Sequence, residues 1–87
     1  MSERLIRSSA DMVAIFRARI ATLGLNCRDV DAMSGLPDGY TNKILNGRKK
    51  PGAVTIERLC GALALAFAPV VDTEREAIVR PQWKHRK

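Results

Sequence analysis

Hydrophobic residues from position 12 to position 67 recur at three- and four-residue intervals, in short blocks divided by glycine and proline. Met12, Ile15, Phe16, Ile20 and Leu23 share one face of a helix. Ser8 and Asp11 have the spacing of a capping box, with Asp in place of the usual Glu, so this helix is predicted to start at 9 and run to about 22. Gly24 provides a left-handed stop. Asn26 and Asp29 form a second box ahead of a short predicted helix, 27–34, with Val30 and Met33 inward and Gly35 as its end. Leu36-Pro37-Asp38-Gly39 is a turn. Pro37 suits the opening of a helix, and Asp38 suits its positive end. A third helix is predicted over 38–46, with Thr41, Ile44 and Leu45 inward and Asn46-Gly47 as a stop. Ile56, Leu59, Cys60, Leu63 and Phe67 line up on a fourth, 53–66, which Pro69 ends. Residues 68–73 are β-prone, 73–79 fit a short helix or coil, and 80–87 read as a disordered basic tail. The expected fold class is all-α, a compact arrangement of four to five helices with room for a short C-terminal strand.

Size narrows the picture to one domain, since the chain has 87 residues. Area scaling gives roughly 5,100 Å² exposed when folded against roughly 14,000 Å² unfolded, which supports one small core. Hydrophobic residues make up 46%, too many for a wholly disordered basic chain. No apolar run approaches a membrane span, because the longest, 62–71, contains Pro69. The opening residues lack the basic-then-apolar layout of a signal peptide. Cys27 and Cys60 are too few for a disulfide framework and are expected to be reduced, in a cytoplasmic protein.

Charge is informative through its placement. Lys and Arg number 15 against 9 Asp and Glu, a net +6. Between Tyr40 and Gly52 stand Lys43, Arg48, Lys49 and Lys50, with no acid. Between Ile78 and Lys87 stand Arg80, Lys84, Arg86 and Lys87, with His85 and again no acid. Concentrated patches of this kind suit a polyanion, because affinity grows with each phosphate neutralised. The alternative is a solvated loop and a frayed tail.

Two short helices joined by a tight glycine-containing turn, flanked by longer helices and followed by a basic loop, have the layout of a helix-turn-helix. The chain resembles the Cro and phage-repressor-like (Xre) family of such domains. The resemblance rests on Gly24-Leu25-Asn26, Val30, Met33, Gly35-Leu36, Ile44, Gly47-Arg48-Lys49-Lys50-Pro51, Thr55-Ile56 and Leu59, and it spans about residues 12–66. Three positions depart from the family pattern. Asp31 stands where a small residue is usual, so it must find a partner or turn outward. Pro37 replaces a cap-forming Ser. Thr41 replaces a buried aliphatic, and its hydroxyl is expected to bond back to a carbonyl of its own helix.

The resemblance implies a lambda-repressor-like domain with helix 38–46 in the major groove of double-stranded DNA. Asn42 and Lys43 are then the base readers, with Asn46 a third and Asp38 either a cytosine reader, a cap or a repulsive selector. Arg48, Lys49 and Lys50 hold phosphate, as do the N-terminal groups of the second helix at Asn26, Cys27 and Arg28. Tyr40 either contacts the backbone or covers the core, and Gly39 permits close approach. A homodimer on a two-fold operator is expected, with Leu65, Phe67, Val70 and Val71 at its interface, since they exceed what so small a core can bury. The domain plan is a flexible N-terminal arm over 1–8, the DNA-binding domain over 9–67, a dimerisation segment over 68–79 and a basic tail over 80–87.

Nothing in the sequence assembles catalytic machinery. There is no His–carboxylate pairing, strained Ser turn, phosphate-cradling Gly loop or metal cluster, so no enzyme, cofactor or metal site is expected. The main rival reading is a DNA-binding antitoxin whose C-terminal segment, with Trp83 as anchor, binds a toxin. A pure protein-interaction module sits poorly with the basic loop, and an RNA binder sits poorly with only four aromatics.

Overall fold

The computed structural model describes residues 5–84, and among them the fold is all-helical. Five helices follow in order: α1 Ser9–Leu23, α2 Cys27–Ser34, α3 Tyr40–Leu45, α4 Ala53–Leu63 and α5 Thr73–Trp83. The first two starts follow their local signals. The Ser8 hydroxyl accepts from Asp11 N–H at the head of α1. The other half of that box has shifted by one residue, since the Asp11 carboxylate accepts from Arg7 N–H rather than Ser8. Asn26 and Asp29 form the full reciprocal box at α2. Gly24 and Gly35 take the left-handed conformation at the two ends, as the sequence predicts.

The core is one cluster built from α1 to α4: Phe16, Ile20, Val30, Ile44, Leu59 and Leu63. Burying each such side chain contributes about 1.5–3 kcal/mol. α1 packs on α3 and α4, and α2 packs on the same two. Each of the short helices α2 and α3 adds one buried aliphatic, Val30 and Ile44, so their placement depends on the scaffold more than on their own propensity. Two inward expectations change. Met33 is 56% exposed, and the last residue of α2, Ser34, is buried in its stead. Leu23 is exposed too, while Met12 and Val13 complete the α1 face.

Several boundaries differ from expectation for identifiable reasons. α3 starts at Tyr40 rather than 38, because Pro37–Tyr40 is a β-turn closed by Tyr40 N–H to Pro37 O at 3.1 Å. Gly39 sits at φ 82, ψ −4, the third position of a type II turn, which only glycine takes without strain. α4 stops at Leu63 rather than 66. Ala64 turns left-handed there (φ 54, ψ 48), and Leu65 N–H reaches back to Cys60 O at 2.9 Å. No glycine marks that stop.

Residues 68–72 carry no regular secondary structure, so the short C-terminal strand is absent from the described residues. Pro69 has no N–H for a ladder, and Asp72 is the N-cap of α5, accepting from Arg75 N–H at 3.2 Å. Residues 80–83 of the expected disordered tail form the last turn of α5, which continues through Pro81 and carries an Arg80–Glu76 ion pair. Residues 85–87 lie outside the described part of the chain.

Of the expected N-terminal arm, residues 5–8 are described, and Arg7 and Ser8 are held by hydrogen bonds. The Arg7 guanidinium grips both carboxylate oxygens of Asp72, with Nη2–Oδ1 at 3.1 Å. None of the residues of α5 is buried. The radius of gyration of 15.9 Å accordingly exceeds the value of about 12 Å for a compact chain of this length.

Candidate nucleic-acid interface

The candidate surface is built from α2, the turn, α3 and the loop that follows. α3 has six residues, which is too few to persist as an isolated helix. Thr41 and Ile44 are its buried face. Asn42, Lys43 and Asn46 are exposed on its other side. Asn46 Nδ2 donates to Asn42 Oδ1 at 3.3 Å, so two of the three form a pair on the surface. Arg48, Lys49 and Lys50 are exposed immediately beyond. Lys49 Nζ lies 4.6 Å from the centre of the Tyr40 ring, a cation–π contact that ties the loop to the start of α3. The polar Thr55 side chain and the charge of Lys49 hold the Tyr40 hydroxyl below its ordinary phenol value. Tyr40 also packs partly against the core, which is the covering role among its two readings.

Asp38 is exposed and caps nothing, because α3 has no side-chain cap of its own. The capping duty falls to Asp31 of α2, which is 2% exposed. Its Oδ2 accepts from Gly39 N–H at 2.9 Å, and its Oδ1 accepts from Thr41 N–H at 2.8 Å and from the Thr41 hydroxyl at 2.6 Å. The Thr41 hydroxyl therefore bonds to Asp31 and not back into its own helix. Asp31 has turned inward with a full set of partners.

Cys27, Arg28, Asp38 and Gly39 gather with Asp31 around a cleft of about 230 Å³ where α2 begins. The Asn26 N–H and side-chain oxygen are committed to the capping box, which leaves the first-turn N–H groups of Cys27 and Arg28 for an outside acceptor. A second cleft of about 440 Å³ runs between α1 and the basic loop, with Arg17, Lys49 and Lys50 at its rim.

Three arginines with no part in the sequence-based reading close the C-terminal ends of helices. Arg58 donates to Gly35 O at 3.0 Å, Arg17 to Leu45 O, and Arg19 to Leu63 O at 2.9 Å. These carbonyls lack intrahelical donors, and a cation there also opposes the negative end of the helix dipole. A signal was present in the sequence: Arg17 and Arg19 flank the buried stripe of α1 without joining it. Sequence alone could not say which carbonyl each would reach.

The proposed dimer residues lie together beyond α4. Leu65 packs against the core, Phe67 is 40% exposed with its ring edge-on to Phe16 at 6.2 Å, and Val70 and Val71 are largely exposed. Ile78 and Trp83 of α5 are exposed as well. Cys60 is half-buried on the α4 stripe, and burial pushes its thiol upward, away from the reactive thiolate.

Among the described residues no cluster of three or more His, Cys, Asp or Glu is placed to hold a metal ion, and no helix is long and apolar enough to cross a membrane. Comparison with family models, with curated proteins and with solved structures gives no match.

Proposed function

We propose that this chain is a sequence-specific double-stranded DNA-binding transcriptional regulator that acts as a homodimer in the cytoplasm, without catalysis or cofactor. The observation that carries the reading is the surface of α3. Asn42, Lys43 and Asn46 face outward on a short helix whose other side is buried, and Arg48, Lys49 and Lys50 follow at once. Asn pairs with adenine and Lys with guanine in the major groove, while the loop cations and the first turn of α2 take phosphate on either side. Asp38, exposed at the entrance to α3, then acts as a selector by repulsion or by accepting from a cytosine amine.

One α3 makes too few base contacts for useful discrimination, which favours two copies on adjacent half-sites about one helical turn apart. The exposed Phe67, Val70 and Val71, next to the half-buried Leu65, are the proposed interface. Selection of bound duplexes from a random pool is the test. A two-fold symmetric consensus is the expected result, and equal affinity for consensus and random DNA at every salt concentration would remove the reading.

A DNA-binding antitoxin is the second reading. α5 favours it, since this helix buries none of its residues and exposes Ile78 and Trp83. It requires a distinct protein partner whose binding is lost when α5 is removed and DNA binding is kept.

A further inference from the structure

α3 is fixed from outside itself. Three donors at its N-terminus, Gly39 N–H, Thr41 N–H and the Thr41 hydroxyl, converge on the buried carboxylate of Asp31. We propose that Asp31 is a positioning residue for sequence discrimination: its carboxylate sets the rotation of α3, and with it the aim of Asn42, Lys43 and Asn46. The inference rests on the DNA-binding reading above.

The geometry shows why discrimination should depend on this carboxylate more than affinity does. Side chains on a helix lie about 5–6 Å from its axis. A rotation of about 20° therefore moves their polar atoms by roughly 2 Å, whereas a useful hydrogen bond spans only about 2.7–3.2 Å. Phosphate contacts from Arg48, Lys49 and Lys50 lie on a loop beyond the helix and are long-range in character. They tolerate a shift that base-edge pairing does not. Two atoms make the constraint rotational as well as axial. Oδ2 holds the turn at Gly39 and Oδ1 holds the first helical turn at Thr41, so the carboxylate spans the junction between them.

Asp31→Asn keeps the shape of the side chain but replaces one acceptor by an NH2, which must face either Gly39 N–H or the Thr41 donors. Thr41→Val keeps the shape of Thr41 and removes only its hydroxyl. Each variant is titrated with the selected duplex and with a random duplex over a range of salt, alongside circular dichroism for folding. The expected result is a preference for the selected duplex reduced by at least about tenfold, within the discrimination that one or two base contacts provide. Random-duplex affinity and salt slope should stay as in the native chain. Thr41→Ser, which keeps the hydroxyl, should retain the preference. A merely structural role predicts something else: loss of folded protein would weaken both duplexes by the same factor. If Asp31→Asn does not fold, Thr41→Val against Thr41→Ser decides. An unchanged preference in the folded variants overturns the positioning role alone. A native chain with no preference overturns both this role and the proposed function.

Discussion

Lys49 gives the proposed phosphate clamp a quantitative consequence. Arg48, Lys49 and Lys50 are the loop cations proposed for phosphate in each protomer; with the Arg28 guanidinium counted beside the α2 N–H groups, a dimer makes about eight contacts. Each neutralised phosphate contributes about −0.9 to the slope of log K against log salt, so the native slope should be about −7. A rise from 50 to 200 mM salt then weakens binding by roughly 10⁴-fold. Lys49→Ala removes about two contacts from the dimer, one per protomer, and the slope should flatten to about −5.4, with a loss of roughly 10³-fold over the same range. The effect should be the same on selected and random duplexes. Fluorescence anisotropy at five salt concentrations measures both. Lys49 also rests on the Tyr40 ring, and this offers a rival explanation that the slope resolves. If affinity falls while the slope stays near −7, Lys49 braces Tyr40 and touches no phosphate, and the clamp is wrongly assigned.

Asn42→Ala and Lys43→Ala should each relax preference at particular base pairs by about 1–3 kcal/mol, read by repeating the duplex selection; an unchanged consensus would contradict base reading. Ser34→Ala should stabilise the fold by about 1 kcal/mol in urea unfolding, because the buried Ser34 hydroxyl has no hydrogen-bond partner. Ala64→Gly should also stabilise. Relief of a left-handed conformation worth about 1–2 kcal/mol outweighs the added freedom of the unfolded chain, about 0.4–1 kcal/mol, so the melting temperature should rise by a few degrees. The hydrogen bond from Arg7, followed by that from Arg75 N–H, holds the Asp72 carboxyl below its ordinary value. Its support of α5 is therefore full above the ordinary carboxylate value and lost as pH falls through the lower folded one. Protection of the α5 amides, relative to their intrinsic exchange rates, should fall over that acidic window, and Asp72→Asn should show lowered protection already at neutral pH.

Local signals made part of this fold legible from sequence. The heads of α1 and α2 are written in side chains that bond to backbone within three or four residues, and their ends in Gly24 and Gly35. The exposed positions Asn42, Lys43 and Asn46 followed from the same periodicity that placed Ile44 inside. Non-local physics hid the rest. The start of α3 depends on an acceptor eight to ten residues upstream, on another helix. Nothing near Asp38 distinguishes it from a cap. The end of α4 relies on an alanine in a glycine conformation, held by Arg19 from α1. α5 did leave a trace, an Asp72 cap with Glu74 and Glu76 in its first turn. Pro81 and the basic residues after it obscured that trace.

The attachments of α3 have one more consequence. At Gly39, Thr41 and Leu45 side chains of α1 and α2 hold main-chain atoms by hydrogen bonds, and the buried Thr41 and Ile44 side chains complete the mount. The outward residues carry none of that burden, so they are free to vary without loosening the mount. Randomising positions 42, 43 and 46 should yield many folded proteins with different tastes in DNA. A chain organised this way can acquire a new target by exchanging a few letters and leaving the architecture untouched.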